Sequence, residues 1–448
     1  MNYRQYDVGA EIDKRRIGLH QWLLFVLCAA VILLDGFDIQ TVSYTAPLLA
    51  KHLGVSVASF GPIFAAGLAG LTVGSVLIGP IADRFGRKRL LQLSALIFGV
   101  FTVATVFADT EFALVINRLF AGIGLGGCIP NALALVAEYT PQRVRTQTVA
   151  VVVSATPLGA VLGGLVASSL VPRFGWQSVF LVGGILPIAL SVVLGLLPES
   201  IRFLVAAGRE AQEIVKILKR MAPDFDYEKG GKFVHPQGSQ KTGSVGLLFR
   251  NGGAQRTLLL WLTYFMVFLV SFLISSWLPS ILKQSGVPLT RAVTALIMFQ
   301  VGGVIGSAVI GHLGDRYGMY RILTAACLLC AASIAALGYM TGIYNGILAV
   351  IFVVGFGVQG TISTLYGLAS SLYPTAIRVT GIGWAAATGR FGAVFGPLVG
   401  GAMMQAHWSM EQMFVAASVP ALICAAALLR LGRLNRGVSV SPTLYAAD

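Results

Sequence analysis

Twelve apolar runs, each long enough to cross a bilayer, leave this chain very few folds. They lie at about 22–44, 58–80, 90–108, 112–137, 147–170, 177–197, 257–281, 291–313, 321–341, 345–370, 380–404 and 411–430. A helix rising ~1.5 Å per residue needs about 20 residues to span ~30 Å of hydrocarbon. In that medium every backbone N–H and C=O must be paired within the segment or across a closed barrel, and runs of this length read as helices. Only 11% of the 448 residues are charged, against roughly 25% in a soluble chain. The 53 glycines suit membrane helices that pack backbone to backbone. The chain reads as an all-α membrane protein.

The basic residues orient it. With the N-terminus inside, 26 of the 32 Lys and Arg fall on the cytoplasmic side, four (Lys51, Arg173, Lys283, Arg291) on the other, and two in the spans. Positive charge accumulates inside, so both termini are expected in the cytoplasm. The net charge of +14 is thereby a topology signal, and no nucleic-acid partner is expected. Met1–His20 is polar and basic, and the first apolar run is already of spanning length, which does not read as a cleavable signal. The five cysteines lie in apolar runs, and Cys327-x-x-Cys330 reads as helix packing. Gly122, Gly124 and Gly127 spell G-x-G-x-x-G without a preceding strand, so no dinucleotide site follows. No metal, cofactor or enzymatic constellation is expected.

The two halves repeat. GPIADRFGRKR at 79–89 returns as GHLGDRYGMYR at 311–321, matching Asp83 to Asp315, 232 positions on. Arg145 matches Arg378 and Gly159 matches Gly392, each 233 apart. Six spans per half make the repeats parallel, the plan of carriers that rock two bundles around a central site. The expected organisation is a six-helix bundle over 1–197, a linker over 198–256 with an amphipathic piece near 209–221, and a second bundle over 257–448.

Asp35 and Asp38, in VILLDGFDIQTVSY at 31–44, put two acids on one face of an apolar helix. A charge at the bilayer centre costs at least ~2.5–3.5 kcal/mol, so it normally faces a cavity or a partner. Arg118 lies at a depth similar to that of Asp38, which predicts an Asp38–Arg118 pair. Arg390 is mid-span in the opposite half. Its planar fork suits a carboxylate; otherwise it would partner Asp35.

These motifs resemble the major facilitator superfamily. G-x-x-x-D-R-x-G-R-K at 79–88 is similar to its signature loop, Arg118 with Gly122 and Gly124 to its second motif, and PESIRFL at 198–204 to the exit motif of sugar and organic-anion porters. LLDGFD at 33–38, IPNALALVAEYTP at 129–141, WLTYFMVFLVSFLISSWLP at 261–279 and GRFGAVFGPLVGG at 389–401 resemble bacterial aromatic-acid:proton symporters more narrowly. The resemblance implies twelve helices in two six-helix pseudo-repeats in the bacterial inner membrane. It also implies import of a hydroxybenzoate-type acid with protons, by a functional monomer. A sugar or non-aromatic organic-anion porter, or a membrane sensor signalling through 198–256, is the alternative.

On that reading Asp35 and Asp38 couple protons, and Arg390 and Arg118 meet the substrate anion. Tyr264, Phe268, Tyr366 and Trp384 are candidates to stack on its ring, and Gln300, Gln359 and Asn131 to bond ring hydroxyls. Trp277, near an outer end, reads as an interfacial anchor. Gating falls to Asp83, Arg84, Arg87, Lys88, Glu138 and Arg145, with Asp315 and Arg316 in the second copy. Glu138 is expected to bridge Arg87 or Arg145. The family likeness implies that Asp83 caps the eleventh helix near Thr380–Gly383. GMYR at 318–321 lacks the first copy's three consecutive basic residues.

Overall fold

The computed structural model describes residues 5–15, 17–207, 211–221, 232–234, 245–250, 253–340, 343–374 and 377–435; most of the 222–244 linker stretch lies outside these. Its helices are, in order, α1 (Val8–Asp13), α2 (Leu19–Leu53), α3 (Gly61–Phe85), α4 (Arg87–Ala104), α5 (Glu111–Tyr139), α6 (Gln142–Val153), α7 (Ala155–Phe174), α8 (Gln177–Val193), α9 (Ile201–Ala206), α10 (Ala211–Met221), α11 (Gly253–Gln284), α12 (Leu289–Tyr317), α13 (Met319–Leu337), α14 (Tyr344–Leu372), α15 (Arg378–Gln405) and α16 (Met410–Asn435). Strand β1 (Gln5–Asp7) pairs in parallel with β2 (Lys232–Val234), Tyr6 opposite Phe233. Each predicted span falls in a long helix, the fifth divided between α6 and α7. Among the described residues, eleven spans are long and apolar enough to cross a membrane. The twelfth, α15, is glycine-rich and carries Arg378 and Arg390.

The repeat recurs at the level of individual contacts. A Cβ at Gly70 or Gly74 would strike the carbonyls of Leu119 and Ile123; at Gly302 or Gly306 it would strike those of Phe352 and Phe356. Gly159 seats α7 on the Leu33 carbonyl, and Gly392 seats α15 on that of Phe265. Such close approach admits no side chain. Gly86 and Gly318 both turn with positive φ, 101° and 99°, which glycine adopts without steric cost. Both turns let a new membrane helix start directly after the last one ends.

Packing sorts the chain into two compact units: Met1–Ile39, Ala69–Ala160 and Gln177–Ser239 form one, and Gln40–Leu68, Val161–Trp176 and Gln240–Asp448 the other. This partition cuts across α2, α3 and α7. In the first unit, Leu91, Leu135, Leu194 and Ile201 form a core that also takes Val8 and Ile12 of α1 and Ile214, Ile217 and Leu218 of α10. The last three recur at helical spacing, so α10 is amphipathic and docked by its apolar stripe.

In the second unit the distal ends of α2, α3 and α7 pack on α11, α12 and α15. Phe64 sets its edge on Trp277 at 5.3 Å between centroids, and Gly164 faces Ile297. Trp277 is 0% exposed and donates from Nε1 to the Pro397 carbonyl at 2.9 Å. It is a buried packing residue, not an interfacial anchor. The side-chain-free surface at Gly400 and Gly401 accommodates its indole.

Candidate functional site

The DGFD turn of α2 lies where α7 presses hardest. A Cβ on Gly36 would overlap the Thr156 carbonyl, and Gly159 answers one turn away against Leu33. The neighbouring Asp35 is 0% exposed. Neither of its carboxylate oxygens has a hydrogen-bond partner among the described residues, so Asp35 is not held in an ion pair with an arginine.

Asp38, one turn on, is the reverse. Arg118 NH1 donates to both Asp38 oxygens at 3.1 Å, and Thr102 Oγ1 donates to Oδ1 at 3.0 Å. Arg118 NH2 reaches Thr102 and Thr105 at 3.2 and 3.1 Å, with its guanidinium over the Phe180 ring at 5.4 Å. The predicted pair is formed, and Arg118, 3% exposed, is committed to it. Thr102, Thr105 and Phe180 escaped the sequence reading, because single residues of α4, its C-terminal end and α8 carry no sign of which neighbour they will meet.

A second cluster lies at the α3–α4 turn. Arg87 bonds Glu138 through NH1 and Asp83 through NH2 at 3.3 Å, and Ser200 donates to Glu138 Oε2 at 2.6 Å. Asp83 is otherwise 69% exposed. Of the two partners expected for Glu138, Arg87 takes the role. Arg145 instead donates to the Thr140 carbonyl at 3.2 Å, just as Arg378 donates to Tyr373 at 3.3 Å. Glu199 Oε1 accepts the Lys88 and Ser200 amides at 2.9 Å. Glu199 and Ser200 were missed as site residues, although PESIRFL was their signal. Arg84 leans on Phe85. In the second copy Arg316 leans on Tyr317, and Asp315 makes no ion pair among the described residues.

In the second unit Tyr264 stacks with Phe268 at 6.3 Å and meets Tyr366 edge-on at 5.7 Å. Trp384 stacks with Trp261 at 5.9 Å. Arg390, midway along α15, is partly buried and within electrostatic reach of Tyr366. The Tyr264 hydroxyl and Gln300 Oε1 are buried without a hydrogen-bond partner among the described residues. Gln359 packs its stem on Gly303. Asn131, in the first unit, spends its Nδ2 on the Gly127 carbonyl at 2.8 Å.

Paired helical repeats with charges sealed inside them define a multi-pass membrane carrier, a transport protein and not an enzyme. The chain belongs to the major facilitator superfamily, whose family model matches residues 28–395 and 260–443. It is 38% identical to a gallate transporter of Pseudomonas putida, over 95% of each chain. It is 37% identical to the 4-hydroxybenzoate transporter PcaK of Acinetobacter baylyi, over 94% of this chain and 93% of that one. In fold it is similar to a bacterial homolog of the human lysosomal transporter Spinster in an inward-facing conformation, with TM-score 0.75, 16% identity and coverage of 95% and 100%.

Proposed function

We propose that this protein imports an aromatic carboxylate with a proton across a bacterial inner membrane, both termini in the cytoplasm. Relatives named for gallate and 4-hydroxybenzoate transport, similar along almost their whole length, support the cargo class. The observation that carries proton coupling is Asp35, sealed and unbonded one turn from a fully compensated Asp38. Removing an ionised group from water costs several kcal/mol unless partners repay it, so this packing suits Asp35 as the neutral acid. Loss of its proton then requires water or a cation to reach it, and that requires the helices to move. Asp38 and Arg118 form the neighbouring charge switch.

Arg390 is assigned the substrate carboxylate. Tyr264, Phe268, Tyr366 and Trp384 offer faces and edges to its ring, contacts that add ~0.5–1.5 kcal/mol beyond burial. The open hydrogen-bonding capacity of Tyr264 and Gln300 suits ring hydroxyls, with Gln359 as a further donor. The Asp83–Arg87–Glu138 cluster, with Arg84, Lys88 and Arg145 around it, holds the cytoplasmic gate of the first half. Asp315 and Arg316 act at the corresponding turn of the second.

Reconstitution in liposomes tests this. Gallate, 4-hydroxybenzoate and benzoate should accumulate above protein-free liposomes when the proton gradient points inward, and an uncoupler should abolish the accumulation. Xylose should neither accumulate nor compete. Concentrative uptake indifferent to gradient and uncoupler would remove the symport reading.

Replacing Arg390 by Ala should weaken binding of 4-hydroxybenzoate about 10- to 100-fold, the worth of a charged hydrogen bond of ~1.5–3 kcal/mol. Its uncharged amide should lose far less. Equal losses for both ligands in a binding titration would give Arg390 a purely structural role.

A further inference from the structure

Beside the gate residues, the first unit contains a cavity of about 370 Å³ where the start of α4, the Leu197–Glu199 segment and α9 meet α10. Four cations line it, Lys88 and Arg89 from α4 and Lys216 and Arg220 from α10, against the carboxylates of Glu199 and Glu213. Two of these six charges are spent on the fold. Lys88 Nζ donates to the Gly195 carbonyl at 2.7 Å, and Glu199 takes the backbone amides of Lys88 and Ser200. Arg89, Lys216 and Arg220 make no ion pair among the described residues. Against the one remaining carboxylate, Glu213, three cations unpaired among the described residues leave the cavity net positive, and an anion between them relieves their repulsion.

The place of the cavity says which anion. Its α4 wall is the first turn of one membrane helix, and Leu197–Glu199 follow the last turn of another, so it lies at the edge of the apolar layer. From that edge the same two segments present Leu93, Leu96, Val192 and Leu196 outward, 40–74% exposed. Large apolar side chains exposed on membrane helices meet lipid tails. A cationic cavity continuous with such a strip matches an amphiphile with an anionic phosphate head and acyl chains. Helix α10 completes the cavity because Ile214, Ile217 and Leu218 are buried beneath it, which leaves Lys216 and Arg220 exposed along the cavity wall.

We propose that this cavity binds the phosphate headgroup of an anionic phospholipid from the leaflet on the side of the chain termini, with α10 as a clasp. A free phosphate shares the head's chemistry but has no use for the apolar strip. The site does not depend on which cargo is carried.

The purified full-length protein, stripped of lipid in detergent, is titrated with phosphatidylglycerol, phosphatidylcholine or inorganic phosphate. Bound lipid is read by native mass spectrometry and stability by the thermal midpoint. Phosphatidylglycerol should bind and raise the midpoint, and neither of the others should match it. The double variant K216Q/R220Q, and separately R89Q, should bind it more weakly, the double variant by roughly tenfold or more, given about 1 kcal/mol per basic residue at an anionic surface. K219Q removes the same charge from α10 outside the cavity and should bind as the wild type does. Unchanged binding in both R89Q and the double variant would overturn the proposal. So would an equal loss in K219Q, which means diffuse attraction, or equal stabilisation by inorganic phosphate, which means a soluble-anion pocket.

Discussion

Asp35→Asn is expected to abolish accumulation driven by a pH gradient while leaving exchange of internal for external substrate. With one proton per substrate anion, a gradient of one pH unit corresponds to ~1.4 kcal/mol, about a tenfold concentration ratio, and the variant's ratio should fall to that of protein-free liposomes. The substitution keeps the shape that α7 closes over at Gly36 and Gly159, so the helix crossing survives. Exchange moves no net proton and needs only the binding site and the rocking motion. Counterflow of labelled acid, measured beside gradient-driven uptake, separates the two. Should the Asn variant still concentrate substrate in proportion to the gradient, Asp35 carries no coupling proton.

The Asp38–Arg118 pair should produce the largest loss of folded protein. Removing one member of a buried ion pair leaves the other's charge uncompensated, at ~3–5 kcal/mol. Arg118→Ala leaves Asp38 with the Thr102 hydroxyl as its remaining donor among the described residues. Asp38→Asn leaves the guanidinium to Thr102, Thr105 and the Phe180 ring, a softer loss. The double variant, D38N with R118A, should therefore be less destabilised than the sum of the singles, by a coupling of ~0.5–3 kcal/mol. Thermal unfolding in detergent measures all four proteins. Strict additivity would mean that the two side chains act independently, whatever the 3.1 Å between them.

Much of the first helix could be read without coordinates. Two acids three residues apart in an apolar run announce a functional face, and depth counted from the span ends pairs Asp38 with Arg118. The same counting cannot say that Asp35 finds no hydrogen-bond partner among the described residues, because that depends on which helices from elsewhere in the chain surround it. Trp277 shows the failure most clearly. Its position near a helix end fits an interfacial tryptophan, yet Gly400 and Gly401 of α15 open a place for the indole and Pro397 supplies its acceptor. Arg145 fails for a local reason: the Thr140 carbonyl, at the end of α5, is near enough to satisfy it before Glu138 does.

The sequence by itself determined the spans, the parallel repeat and the membrane class, because a hydrocarbon solvent tests every residue where it stands and duplication leaves its offset in the chain. It also determined which residue types were too costly to bury without purpose. Only the tertiary structure decided their partners: Asp38 with Arg118, Glu138 with Arg87 and Ser200, Asp35 with no hydrogen-bond partner among the described residues, and α10 folded back over the basic end of α4. Those outcomes depend on distances between helices far apart in sequence, set by glycine contacts whose geometry no single segment encodes.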